Sequence, residues 1–171
     1  MSGPGVHEQR VGLGIDVHPF VQGDEAARPL VLGGVTFAGS PGLRGHSDAD
    51  VVAHAVADAV LGAAGLGDLG RHFPDTDEAW RGADSLALLA EAARRASADG
   101  WSLVNADCTL VGERPKVAPE REEMGRRLSA AAGGPVHVKA TRPEGLGALG
   151  RVEGLACMAV VLLTRPSPVV P

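Results

Sequence analysis

The sequence predicts an α/β domain in which a mixed sheet is covered by about three helices on one face. Two observations carry this. Strand-like segments, alternating or continuously apolar, are interleaved with longer segments whose apolar residues recur three and four apart. In addition, 44% of the 171 residues are hydrophobic, which makes one compact domain with its own core the default. No internal repeat is visible.

Taken in order, residues 1–10 read as a flexible N-terminus and 11–164 as the domain. Val11–His18 alternates like a half-buried strand. Asp16 and His18 stand two apart in it, so their side chains leave the same face, and Pro19 stops the pairing. Leu30–Phe37 is a second strand, interrupted by Gly33-Gly34 as a bulge or tight turn. Ser40–Gly45 is loop.

Gly45–His54 then opens an Ala/Val-rich helix over about Asp48–Ala64. Ser47 or Asp48 can cap it, and Gly65 supplies a left-handed end. His54 falls in the second turn, and His46 lies just ahead of the positive end. A nitrogen ligand beside free backbone N–H groups suits a metal that holds phosphate. The alternative is a buried, hydrogen-bonded histidine. Gly67–Asp77 has no helical or strand period, and its glycines, aspartates, proline and Phe73 exceed what a connector needs. A polar linker is the plainer alternative.

The next helix is capped by Asp84 or Ser85, buries Leu86, Leu89, Ala90, Ala93 and Ala96, and ends at Gly100. Trp101–Gly112 reads as a strand, Glu120–Ala132 as a charged helix with one solvated face, Val136–Ala140 as a short strand and Gly154–Thr164 as a long apolar one. Residues 165–171, with three prolines, read as a frayed tail.

Composition excludes several classes. The net charge is −5 and no Lys/Arg block stands out, so nucleic-acid binding is not expected. Aromatic residues are 3%, with no tyrosine, which argues against base-stacking surfaces. No apolar run reaches membrane-spanning length, and the N-terminal ten residues lack the apolar core of a signal peptide. Cys108 and Cys157, far apart in apolar runs, fit two reduced buried thiols. A cytoplasmic protein is expected.

Gly145–Gly150 matches the pattern G-x-G-x-x-G. The dinucleotide reading requires a helix and an acidic residue downstream, whereas Arg151-Val152-Glu153 and an apolar strand follow, so that reading is rejected. The glycines instead suit a tight bend near a ligand or a partner subunit. Asp16, His18 and His54 form a two-histidine, one-carboxylate set. Three protein ligands leave one position of a zinc tetrahedron open, as in catalytic sites; the same set in octahedral geometry could take Fe(II) or Mn(II). Asp50, four residues before His54, either orients it as a supporting carboxylate or is a solvated helix residue.

Asp16-Val17-His18-Pro19-Phe20, the run His46-Ser47-Asp48-Ala49-Asp50 through His54, and Gly67-Asp68-Leu69-Gly70 through Phe73–Asp77 resemble the 2-C-methyl-D-erythritol 2,4-cyclodiphosphate synthase family. Asn105-Ala106-Asp107, Arg114-Pro115-Lys116 and Gly150–Gly154 continue the match in order, nearly throughout Val11–Leu163. The resemblance implies a homotrimer with active sites at subunit interfaces, in the non-mevalonate route to isoprenoid precursors. It implies conversion of 4-diphosphocytidyl-2-C-methyl-D-erythritol 2-phosphate into the cyclic diphosphate and CMP.

Carried over by residue, Asp16, His18 and His54 are implied to bind zinc, and Glu144 a second divalent ion, Mg2+ or Mn2+, on the diphosphate. His46 and Ser47 are implied to hold phosphate. Asp68, Gly70, Phe73, Pro74, Asp75, Thr76 and Asp77 are implied to line the methylerythritol site. From the neighbouring subunit, Gly112, Arg114, Pro115, Lys116, Val117 and Ala118, with Ala140, Thr141 and Arg142, are implied to seat the cytidine diphosphate, and Arg151 to contact substrate. The nucleophile is then the substrate's own anionic 2-phosphate, so the chemistry needs charge neutralisation and in-line positioning rather than a general base.

Three residues depart from the family pattern. Arg142 replaces a threonine assigned to transition-state stabilisation, where a guanidinium can serve as a paired phosphate donor or block the pocket. Ala148 replaces a phenylalanine and Val152 a glycine, near the trimer axis where the family has an apolar cavity that can hold isoprenoid diphosphates. The competing reading is a trimeric binding protein, weakened in turnover, that senses an isoprenoid or nucleotide diphosphate. The intact metal set favours the enzyme, with His46 and Arg142 as its catalytic residues.

Overall fold

The computed structural model describes residues 7–22 and 28–167. The elements are β1 (His7–Pro19), β2 (Pro29–Leu32), β3 (Val35–Pro41), α1 (Val51–Ala64), α2 (Leu69–His72), α3 (Ser85–Ala98), β4 (Ser102–Val111), α4 (Arg121–Ala132), β5 (Val136–Thr141), α5 (Gly147–Gly150) and β6 (Gly154–Pro166). A 3-10 turn covers Glu78–Trp80. Pairing of β1 begins at His7, ahead of Val11, and β6 runs to Pro166. The rest of the flexible start and the frayed tail expected from sequence, 1–6 and 168–171, lie outside the described residues.

The main sheet has the order β1-β6-β4-β5. The β1–β6 and β6–β4 pairs are antiparallel, and β4–β5, joined through α4, is parallel. The sheet is therefore mixed, as the pattern predicts. The Leu30–Phe37 segment differs from expectation: Gly33 and Gly34, at φ 57° and 74°, turn it into the β2–β3 hairpin, a separate two-stranded sheet. Two consecutive positive φ angles are what a two-residue turn matched to strand twist requires.

α1 is buried on nearly every side, which explains why its sequence is apolar all round rather than amphipathic. It lies against β1 at backbone distance. A Cβ added at Gly12 would sit 2.0 Å from the Ala59 carbonyl oxygen, and one at Gly14 2.0 Å from that of Ala55. The residues that face α1 along β1 are thus Gly12 and Gly14, followed on the same face by Asp16 and His18. The close approach made by the glycines and alanines brings those two side chains to the start of the helix.

The helix begins at Val51, three residues later than expected. The cap is Asp50, not Ser47 or Asp48. Its carboxylate is fully buried and accepts the N–H groups of Val52 and Ala53 (both 3.1 Å), Gly33 (2.9 Å) and Gly34 (2.7 Å). Burial pushes the Asp50 carboxyl up to about 6, against the pull of these amides. Asp50 therefore neither orients His54 nor meets solvent; it locks the hairpin turn onto the helix. In α3, Asp84 is the cap, the helix ends at Asp99, and the buried positions are Ser85, Leu88, Leu89, Ala92 and Ala96. Ala90 faces outward, contrary to the sequence pattern.

Opposite the helices, the sheet exposes Val11, Leu13, Ile15 and Val17 of β1, Val104 of β4, and Met158 and Val160 of β6. Cys108 and Cys157 are buried without a disulfide, and burial pushes the Cys108 thiol up to about 12, as expected for inert thiols. Among the described residues no helix is long and apolar enough to cross a membrane.

Candidate active site

Asp16 and His18 from β1 meet His54 from α1. His18 Nε2 and His54 Nδ1 each lie 3.0 Å from Asp16 Oδ2. One ligand atom from each residue lies within 4.8 Å of the others, a spacing that suits a single ion. Burial pushes the Asp16 carboxyl up, but its hydrogen bonds to His18 and His54 outweigh this and leave it well below the usual carboxylate range. Burial lowers His18, and Asp16 more than reverses this, so His18 stands above its ordinary 6.5.

The other side of His54 decides which nitrogen faces the group. Its Nε2 lies 2.8 Å from Ser85 Oγ and 3.0 Å from Ser47 Oγ. The Ser85 hydroxyl donates to Asp48 Oδ1, and Ser85 N–H donates to Asp48 Oδ2 at 3.1 Å. Ser85 Oγ is thus placed to accept the Nε2 proton, and a bound metal would take the place of the hydrogen that Nδ1 shares with Asp16. This is the carboxylate-anchored arrangement that fixes metal-ligating histidines, here with a serine interposed. The residues fit a divalent ion with one open position. The supporting carboxylate is Asp48, through Ser85, in the place that spacing suggested for Asp50.

Beside this group lies the His46–Ser47 loop. His46 Nε2 is buried without a hydrogen-bond partner among the described residues. Arg28 holds the loop by donating to the Gly45 carbonyl (2.7 Å) and to that of Ser47. It shares with His46, Ser47 and Arg81 a cavity of about 500 Å3. Sequence reasoning read Asp48 and Ser85 only as candidate helix caps and did not single out Arg28, since none lies in a periodic pattern with the ligands.

The Gly67–Asp77 stretch is more ordered than its composition suggests. Asp68 caps α2, Asp77 caps the 3-10 turn, and buried Phe73 packs edge-on against Trp80 at 5.1 Å. Pro74 is half-buried, while Gly70, Asp75 and Thr76 are exposed.

The remaining candidates form a second cluster. Gly112, Pro115, Lys116, Val117, Ala118, Ala140, Thr141 and Arg142 surround a cavity of about 250 Å3, and Arg114 lines an adjoining one of about 770 Å3. Glu144 lies on the turn after β5 and outside the Asp16–His18–His54 group. Arg151 pairs with Glu153 at 2.6 Å. Arg142 Nε donates to Glu113 at 2.8 Å. Strand register puts both clusters at one end of the sheet, since His18 pairs with Leu155 and Val111 with Ala156. They are nevertheless on opposite sides of the sheet, edge strand β1 against β4 and edge strand β5, about 10–15 Å apart at the usual strand spacing.

Comparison with known proteins agrees with this layout. The YgbB family model matches residues 9–164. The bifunctional enzyme IspD/IspF of Anaeromyxobacter dehalogenans is 58% identical over 157 residues, covering 90% of this chain and 39% of the relative. The 2-C-methyl-D-erythritol 2,4-cyclodiphosphate synthase of Bordetella petrii is 54% identical over 161 residues, covering 92% of this chain and 97% of the relative. The chain therefore spans about two fifths of the length of the bifunctional relative and nearly all of the single-function one. Among solved structures, the CDP complex of Plasmodium falciparum IspF superposes with a TM-score of 0.79 at 28% identity, covering 93% of this chain and 97% of that one. With the metal-type group, the motif order and the fold all in agreement, the chain belongs to the YgbB family, that of the 2-C-methyl-D-erythritol 2,4-cyclodiphosphate synthases.

Proposed function

We propose that this chain converts 4-diphosphocytidyl-2-C-methyl-D-erythritol 2-phosphate into 2-C-methyl-D-erythritol 2,4-cyclodiphosphate and CMP, as a cytoplasmic homotrimer of the non-mevalonate isoprenoid pathway. The observation that carries the reading is the Asp16–His18–His54 group, with its ring nitrogens turned to a common point and the His46–Ser47 loop alongside. Zinc held by Asp16, His18 and His54, and Mg2+ or Mn2+ held by Glu144, would supply charge neutralisation at the phosphates.

The chain's own groups do the positioning. His46, whose Nε2 has no hydrogen-bond partner among the described residues, and Ser47 beside it on the same cavity would hold a phosphate oxygen. Asp68, Gly70 and Phe73–Asp77 border the methylerythritol, and Gly112–Ala118 with Ala140–Arg142 seat the cytidine diphosphate. The 2-phosphate oxygen attacks the β-phosphorus and the CMP oxygen leaves. Because the nucleophile is already an anion, no side chain need take its proton. Arg142 offers fixed donors where charge spreads over the transferring group.

The separation of the two clusters within one chain supports a site shared between neighbours. The exposed apolar face of β1, β4 and β6 supports their assembly, since a patch of that kind is a partner surface in a folded protein. Steady-state CMP release tests the reading. Wild-type protein is expected to turn over the substrate. His54→Ala and Arg142→Ala are each expected to lose about a hundredfold or more, with Arg142→Thr recovering part of the loss. Wild-type protein that binds the substrate but releases no CMP would favour the binding-protein alternative.

A further inference from the structure

The turn 142–145 carries a conformation that a side chain must hold in place. Glu144, at φ 53°, is followed by Gly145 at φ 77°, and Leu146 N–H donates to the Pro143 carbonyl at 3.0 Å. Two successive positive φ angles form a tight turn, and a non-glycine residue at the first of them is strained unless its surroundings fix it. Glu113, on the segment after β4, supplies that fixing. Its Oε1 accepts Gly145 N–H and its Oε2 accepts Arg142 Nε, both at 2.8 Å. One carboxylate thus grips the chain on both sides of Glu144.

The same carboxylate is only 10% exposed, although it stands between two open cavities that share Glu113, Pro115, Lys116 and Arg142 as walls. Both of its oxygens accept, one from the Gly145 amide and one from the Arg142 guanidinium, the arrangement of an ionised carboxylate. An anion at the edge of a diphosphate site repels its ligand unless a cation is paired with it. Arg142, 65% exposed, is that cation. With Nε committed to Glu113, its two terminal nitrogens remain available to the cavities.

We propose that Glu113 is a positioning residue for the diphosphate: it clamps the 142–145 turn so that Arg142 and Glu144 face the ligand together, while Arg142 neutralises Glu113. This rests on the cyclodiphosphate synthase reading above. Arg142 and Glu113 then act as one unit, and the loss on removing both differs from the product of the single losses.

Calorimetric titration of the assembled protein with CDP and Mg2+ tests this, alongside CMP release and the thermal midpoint. Glu113→Gln is expected to weaken CDP about tenfold, the scale of one charge-assisted hydrogen bond, without lowering the midpoint by more than a few degrees. Glu113→Asp, which keeps the charge but is too short to reach both donors, is expected to behave in the same way. Arg142→Ala is expected to weaken CDP further, because it leaves the Glu113 carboxylate unpaired beside the diphosphate. The double variant Glu113→Gln/Arg142→Ala is expected to bind CDP at least as well as Arg142→Ala alone. Losses that simply multiply, or a Glu113→Asp variant with wild-type affinity, would overturn the role of Glu113. Wild-type protein that neither binds CDP nor releases CMP would instead overturn the functional reading.

Discussion

Ser85 ties His54 to Asp48, and its removal isolates the support of the metal-type group from the ligands themselves. Ser85→Ala should leave the fold intact and lower zinc affinity about 10- to 100-fold in a competitive chelator titration, the usual effect of losing a partner that orients a ligating histidine. An unchanged dissociation constant would remove Ser85 from that role. Proton competition gives a second check. A ligating histidine must be neutral, and Asp16 raises His18 above 6.5, so zinc affinity should begin to fall above that pH as the solution is acidified. Affinity that stays level down to pH 6 would contradict it. At this scale the ligands were legible because each sits in a local pattern: Asp16 and His18 two apart on a strand, and His54 on a helix. Ser85 and Arg28 were not, because what joins them to the site is packing between segments far apart in sequence.

α1 shows what period alone leaves undecided. Its extent and its left-handed end at Gly65 follow from composition, but the capping residue depends on where the β2–β3 turn docks. Asp50 serves two elements at once, so Asp50→Ala should strip the buried amide of Gly33 and the half-buried one of Gly34 of their partner as well as remove the helix cap. The expected loss is at least about 2 kcal/mol of unfolding free energy by denaturant titration, the sum of a lost cap and unsatisfied buried donors. A loss within error of zero would mean that the hairpin and helix are held by other contacts. The outward face of Ala90 has a related cause. In α3 the stripe of small residues is wide enough to allow several rotations, and packing on α1 and α4 selects one. The separate hairpin, too, was half legible: Gly33-Gly34 marked a turn, while its detachment from the main sheet is a tertiary fact.

Among the described residues, one face of the main sheet carries no helix. Leu13, 59% exposed in the single chain, lies midway along β1 on that face. Leu13→Glu should leave the chain folded but reduce the sedimenting species from trimer to monomer, because it places a charge where apolar surface is expected to be shared. A trimer that persists would show that the assembly uses another face. Alternation along β1 made its two faces legible from sequence, whereas the distance between the two residue clusters follows from strand order and could not be read from the chain. That distance leads to the most direct test of the account, which is complementation between inactive variants. His54→Ala removes one half of the proposed site and Lys116→Ala the other. Each alone should release little CMP. Co-assembled in equal amounts, they should regain about a quarter of wild-type turnover, because an intact His54 and an intact Lys116 then meet from neighbouring chains at about one site in four of a closed ring. Mixed assemblies no more active than the separate variants would contradict a site shared between subunits.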